Sequence, residues 1–161
     1  GDITLTAPIA AIDPVSATLT VHGFEVQPNV LTWFGSERIS DAPVTSAADL
    51  QVGDVVAASG TFGGSPGLLL ASKILRVPSQ EPLIASGHFS LANLAIIVLG
   101  RPLQTNGSTN FDVCGRSADA ARLFSDPYAA LNYHFVRIGL PVTVVDPLEA
   151  LWVSVNLDNY C

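Results

Sequence analysis

The chain has 161 residues, room for one domain of ordinary size or for two very small ones. At 48% hydrophobic and 13% charged residues it is too apolar for a disordered segment. Its formal charge is -7, and the seven cations (Arg38, Lys73, Arg76, Arg101, Arg116, Arg122, Arg137) stand singly with no basic run, which argues against nucleic acid and anionic membrane surfaces as partners.

Taken in chain order, the pattern is that of short strands and turns. Ile3, Leu5 and Ala7 alternate with threonines ahead of Pro8, and Leu19 and Val21 alternate with Thr20 and His22, as half-buried strands do. A glycine corner at Gly23 leads to a strand over Phe24 to Gln27, and Pro28-Asn29 punctuates the chain before a third strand at Thr32 to Phe34. Ser46 to Leu50 fits a single helical turn capped by Ser46. Val55 to Ser59 and Leu68 to Val77 are extended segments. The glycine-rich run from Gly60 to Gly67 between them is a hairpin loop. A proline-flanked link, Pro78 to Pro82, follows. The longest strongly apolar stretch, Leu94 to Leu99, is far short of the about 20 residues a membrane helix needs. The chain opens without a positive region followed by an apolar one, so no secretory leader is expected in these residues.

The second half repeats the first. Leu19 to Gln27 lies over Ile96 to Gln104, so that Gly23 meets Gly100 and Gln27 meets Gln104; the same offset pairs Thr32 with Thr109 and Phe34 with Phe111. A second block lays Gly53 to Ala58 over Gly139 to Val144, an offset of 86 against 77 for the first block, which implies nine extra residues in the second copy between Phe111 and Val136. Each copy then supplies about five strands, too few for a sandwich but enough for a small closed barrel without exposed edges. The expected fold is all-β: two tandem five-stranded barrels, at 1–78 and 83–161, each with its own small core. A helical insertion is expected at about 114–131, with a short helix started by Ser117 and stopped before Asp126-Pro127. This insertion, carrying Arg122 and Tyr128, is either a binding loop or a cap over the barrel end.

No catalytic constellation is legible. His22, His88 and His134 are far apart and apart from the cysteines, so no metal site or cofactor is expected, and His22 reads as an exposed strand residue. There is no GxSxG elbow, and Gly63-Gly64-Ser65 lacks the lysine and helix of a phosphate loop. Asp13, Asp54, Asp112 and Asp146 adjoin turns or strand ends, where carboxylates accept backbone hydrogen bonds. Cys114 and Cys161 are either a disulfide, closing a loop of roughly 47 residues and contributing about 4 kcal/mol, or two unrelated thiols. Asn106-Gly107-Ser108 fits both a glycosylation acceptor and a simple turn. Among the aromatics, Phe34 and Phe111 are core candidates and Trp152 fits core or inter-barrel packing. Trp33 is expected to face outward, where with Phe24 and Phe62 it would make a stacking platform for a sugar or a hydrophobic peptide; the alternative is burial against the second barrel.

Four segments carry a family resemblance: Ile9-Ala-Ala-Ile-Asp-Pro-Val-Ser-Ala-Thr-Leu-Thr-Val-His-Gly23, Thr32-Trp-Phe34, Asp49-Leu-Gln-Val-Gly-Asp-Val-Val-Ala-Ala-Ser-Gly60 and Leu70-Ala-Ser-Lys-Ile-Leu75. Together they resemble an exported bacterial OB-like repeat domain of unknown function. The second half keeps Gly100, Phe111 and Gly139 but has Leu140 in place of Asp54 and lacks the Ala-Ser-Lys-Ile segment. The resemblance implies a tandem barrel, a periplasmic or secreted setting, and a noncatalytic binding or structural role with protein or carbohydrate as ligand. The alternatives are a single-stranded nucleic-acid-binding OB protein and a hydrolase with carboxylates at the barrel interface.

Overall fold

The computed structural model describes residues 2–37, 42–79, 81, 83–92, 95–113, 116–117, 134–144 and 147–156; for 88–92, 116–117 and 134 the description is of the backbone alone. The segments expected to alternate do so. In β1 (Ile3–Ile12), Leu5, Ala7 and Ile9 are buried, and β2 (Leu19–Val21) and β3 (Phe24–Gln27) bury Leu19, Val21, Phe24 and Val26. Each fully buried Leu, Ile or Phe contributes roughly 1.5–3 kcal/mol of hydrophobic stabilisation. Pro8 does not end β1, which continues to Ile12 with a register shift between Ile9 and Ala11. That irregularity lets one strand serve two neighbours, because such bulges bend and twist the chain. Ile3 to Pro8 pair with β5 (Val55–Phe62), and Ile9 to Ile12 pair with β2.

These pairings close a ring. β1, β2 and β3 are successive antiparallel neighbours, β3 runs parallel to β6 (Leu68–Arg76), β6 is antiparallel to β5, and β5 returns to β1. The result is a closed five-stranded barrel with no free edge along this circuit. A further strand, β4 (Trp33–Ser36), extends the line of β3 along the same side of β6, also parallel. Between β4 and β5, Ala47–Asp49 forms one 3-10 turn. Its cap is the expected Ser46, whose side chain accepts from the Ala48 amide while Asp49 reaches back to the Ser46 amide at 3.2 Å. It is the one helical element among the described residues.

The second half contributes β7 (Ile84–Ala92), β8 (Ala95–Val98), β9 (Arg101–Gln104), β10 (Asn110–Val113), β11 (Arg116–Ser117), β12 (His134–Gly139) and β13 (Trp152–Asn156). β7 pairs antiparallel with β8 and β12, β8 with β9, and β12 with β13, while β10 runs parallel to β13 and antiparallel to the short β11. Gln104 at the end of β9 bridges Glu149 in parallel: its amide donates to Leu148 O and its carbonyl accepts from the Ala150 amide, both at 2.9 Å. Ser117, expected to start a helix, lies with Arg116 in β11; the rest of the expected insertion, 114–115 and 118–131, falls outside the described residues.

The two halves share one sheet. Thr4, Leu5 and Thr6 of β1 pair antiparallel with Ser86, Ala85 and Ile84 of β7. The buried side chains of both halves form a single contiguous cluster rather than the two separate cores expected. The seam is strand pairing rather than a linker, which is why the cores merge.

Candidate functional site

Two regions hold the residues of interest: the junction between the halves, and the outer wall formed by β3, β4 and β6. At the junction, each half presents a two-residue hairpin. His22 and Gly23 have φ of 51° and 79°, and Leu99 and Gly100 have φ of 51° and 74°, the left-handed pair that a tight β-hairpin turn requires. His22 is therefore not the exposed strand residue expected. The turn breaks the alternation of β2 and directs the ring into the junction, where it is 4% exposed. Its Nε2 donates to Pro141 O at 2.6 Å, and its buried Nδ1 finds no partner among the described residues. The other hairpin makes the return contact, with Leu99 O accepting from the Gly67 amide at 2.7 Å.

Arg101 joins the same region. Its Nη1 donates to Gly23 O at 2.7 Å, and its guanidinium lies 4.9 Å from the centroid of the Phe24 ring. Phe24 is fully buried, so it does not stand with Trp33 on a surface platform. Phe62 is 46% exposed but lies at Gly100, where an added Cβ would come 3.0 Å from its Cζ. Trp33 sits beside Lys73 on one edge of β6 and Phe62 beside Leu69 on the other. The structure thus does not gather Trp33, Phe24 and Phe62.

The outer wall is built on a turn that occurs twice. Asn29 accepts from the Leu31 amide through Oδ1, its own amide donates to Thr32 Oγ1, and Thr32 Oγ1 donates to Ala71 O at 2.7 Å. Asn106, Ser108 and Thr109 repeat every one of these bonds, with Thr109 Oγ1 donating to Ala150 O at 2.9 Å. Between the fixed Asn and Thr the two turns differ. Val30 and Leu31 are 99% and 87% exposed, whereas the other turn carries Gly107 and Ser108. Trp33 follows directly, 55% exposed, with Lys73 Nζ 5.3 Å from its ring centroid and its indole lying over Gly35. Leu70 adds a further exposed apolar side chain on the neighbouring strand. Val30, Leu31 and Leu70 were not singled out from the sequence; the available signal was an apolar pair between Pro28-Asn29 and Thr32, where a turn is ordinarily polar.

Asp13, Asp49 and Asp54 are engaged in turns. Asp13 accepts from the Val15 and Ser16 amides, and these bonds, Val15 first, lower its pKa. Asp49 is lowered mainly by the Thr45 amide, then by the Thr45 hydroxyl, with Ser46 and Arg76 adding smaller contributions. Asp54 accepts from the Gln51 amide, and Asp112 from the Ser154 hydroxyl. Asp146 lies outside the described residues, among which no group of three His, Cys, Asp or Glu side chains is placed to hold a metal ion. Asn106 is a working turn residue whose Nδ2 also donates to Glu149 Oε2 at 2.6 Å. Phe111 is buried, Phe34 packs against the core, and Trp152, half-buried, lies over Gly139. Cys114, Cys161, Arg122 and Tyr128 fall outside the described residues. No helix among the described residues is long and apolar enough to cross a membrane.

Residues 6–74 match a family described as Domain of unknown function (DUF5666), a span that begins in β1 and ends in β6 and so coincides with the closed barrel. Comparison with curated proteins gives no match, and neither does comparison with solved structures.

Proposed function

We propose that the chain is two copies of one OB-like barrel in tandem, docked on each other, and that it works as a noncatalytic binding or structural module outside the cytoplasm, with protein as the preferred ligand class. The observation that carries the reading is the recurrence of every pairing. β1, β2, β3, β4, β5 and β6 have the partners and orientations of β7, β8, β9, β10, β12 and β13, with the Gln104–Glu149 bridge standing for the Gln27–Leu70 pair. Equivalent residues meet at the seam: Leu5 faces Ala58 in one half, Ala85 faces Ile138 in the other, and Leu5 pairs with Ala85 itself. The hairpin turn of each half contacts the β5–β6 or β12–β13 loop of the other, as a two-fold arrangement requires.

This register corrects the alignment of the second block. Val56 corresponds to Val136 and Ala58 to Ile138, so Gly139 matches Ser59 rather than Gly53. From Phe34 to Val56 is 22 positions and from Phe111 to Val136 is 25, leaving three extra residues rather than nine.

The reciprocal contacts also weigh against the nucleic-acid alternative. OB-folds bind strands on the β2–β3 face between flanking loops. Here His22 of the β2–β3 turn and Leu99 of its counterpart at Leu99-Gly100 are buried against the opposite half, and the charge of -7 repels phosphate. A hydrolase would need carboxylates free to exchange protons; Asp13 and Asp49 serve as turn acceptors held below the ordinary aspartate range. Exposed Trp33 keeps a carbohydrate reading in view, although Lys73 and Gly35 already occupy the ring's surroundings.

The test is a fluorescence titration of the protein with cell-envelope oligosaccharides. Unchanged tryptophan emission is expected, and a saturable shift that Trp33→Ala abolishes would replace protein by carbohydrate. The exported setting is what the resemblance implies, and pairing of Cys114 with Cys161 would support it; two free thiols in denatured, unreduced protein would remove that second support.

A further inference from the structure

We infer that the outer wall of the first half is a self-complementary surface on which a second copy of this chain docks. Four positions define it: Val30, Leu31, Trp33 and Leu70, all exposed. The molecule supplies its own control. At the corresponding places the second half has Gly107, Ser108, Asn110 and Glu149, in a turn with identical hydrogen bonds and beside a glutamine, Gln104, that replaces Gln27. Where the second wall closes on itself through the Asn106–Glu149 bond, the first has Leu70 in place of that acceptor. The scaffold folds with no apolar side chain at any of the four positions, so stability does not call for the apolar set. Four apolar side chains held in water carry an unfavourable hydration term that burial against another surface removes.

The charges on the wall point to a second copy as the occupant. Glu25 pairs with Leu68 at one end, and Lys73 pairs with Trp33 at the other. These stations are five residues apart along β6, about 16 Å at the usual strand rise. The wall therefore reads anion, apolar centre, cation along its length. Two such walls facing each other about a two-fold axis near Leu70 bring each Glu25 to the other copy's Lys73 and the apolar residues together, the geometry of an isologous interface. The apolar centre supplies the affinity and the charges fix the orientation. The net charge of -7 on each copy opposes association, which makes the charge pattern on this face the more telling.

The inference rests on the tandem reading for its internal control. Sedimentation velocity on the whole chain, from dilute to concentrated protein, tests it. The wild type should show a concentration-dependent dimer. Val30→Gly with Leu31→Ser, which writes the second turn's residues into the first, should raise the dimer Kd by about tenfold or more, with the thermal midpoint unchanged in protein dilute enough to be monomeric. Glu25→Lys alone and Lys73→Glu alone should each weaken the dimer by about tenfold, and the double variant should restore it. A wild type that stays monomeric overturns the inference. So does a dimer indifferent to the turn replacement, or one that the double charge reversal fails to restore. None of these results touches the strand pairing on which the tandem reading stands, which is tested separately by amide exchange.

Discussion

The Asn29–Thr32 and Asn106–Thr109 turns are the same device put to different ends. Each uses an asparagine side chain to hold the amide two residues on, and a threonine hydroxyl to tie the turn to a distant backbone carbonyl, Ala71 in β6 or Ala150 just ahead of β13. In the second turn the residues between are polar, and Asn106 finds an additional acceptor in Glu149. In the first they are Val30 and Leu31, turned out into solvent. The frame is set by backbone satisfaction, which both turns share; the tip is free of that constraint, so its composition reports what the surface meets. The seam makes the opposite point. There Leu5 and Ala85 are fully buried and their composition reports packing alone.

The contrast between seam and turn can be broken in order of effect. Leu5→Ala should cost about 2–5 kcal/mol in chemical denaturation, because it opens a cavity at a fully buried position between two strand pairs. A loss below 1 kcal/mol, about that of a surface substitution, would remove the seam from the core. Thr109→Val should cost about 1–3 kcal/mol, since it orphans the Ala150 carbonyl and the Asn106 amide at a buried site. Thr32→Val, on the less buried copy of the turn, should cost less; the reverse order would deny that the two turns are set by the same bonds.

A smaller effect is expected from acid. Asp49 is held below its ordinary pKa in the folded state, so its contribution is present above the usual aspartate value, about 3.9, and is lost as pH falls through the folded value. The melting temperature of the wild type should therefore fall more steeply between neutral pH and pH 3 than that of Asp49→Asn, and parallel curves would count against the capping role. Leu31→Ser should change stability least, within about 0.5 kcal/mol, because the side chain is 87% exposed.

Much of the first half was legible. Alternation identified β1 and β2 because one face of each is buried, and Gly23 and Gly100 aligned because a tight hairpin demands a left-handed pair in both halves. Thr32 and Thr109 aligned for an equally physical reason, since each carries the same carbonyl bond. The second block misled because Pro141 to Val144 resembles a strand in composition, yet these residues form the loop that meets His22, with Val142 exposed. His22 and Phe24 were misplaced because a hairpin reverses the facing on which alternation depends. The apolar tip at Val30-Leu31 escaped notice because exposure is a property of the turn's bonding, and the partner of Thr32, Ala71, lies 39 residues further along the chain.

The central claim is that the second half closes as the first does, through β9 against the segment leading into β13. Amide hydrogen exchange followed by NMR reads it directly. The Gln104 and Ala150 amides, which bond across that closure, should be protected to the level of the Val136 and Ile138 strand. Exchange at the rate of an open strand edge for both amides would mean that the second half does not close, and would contradict the tandem barrel.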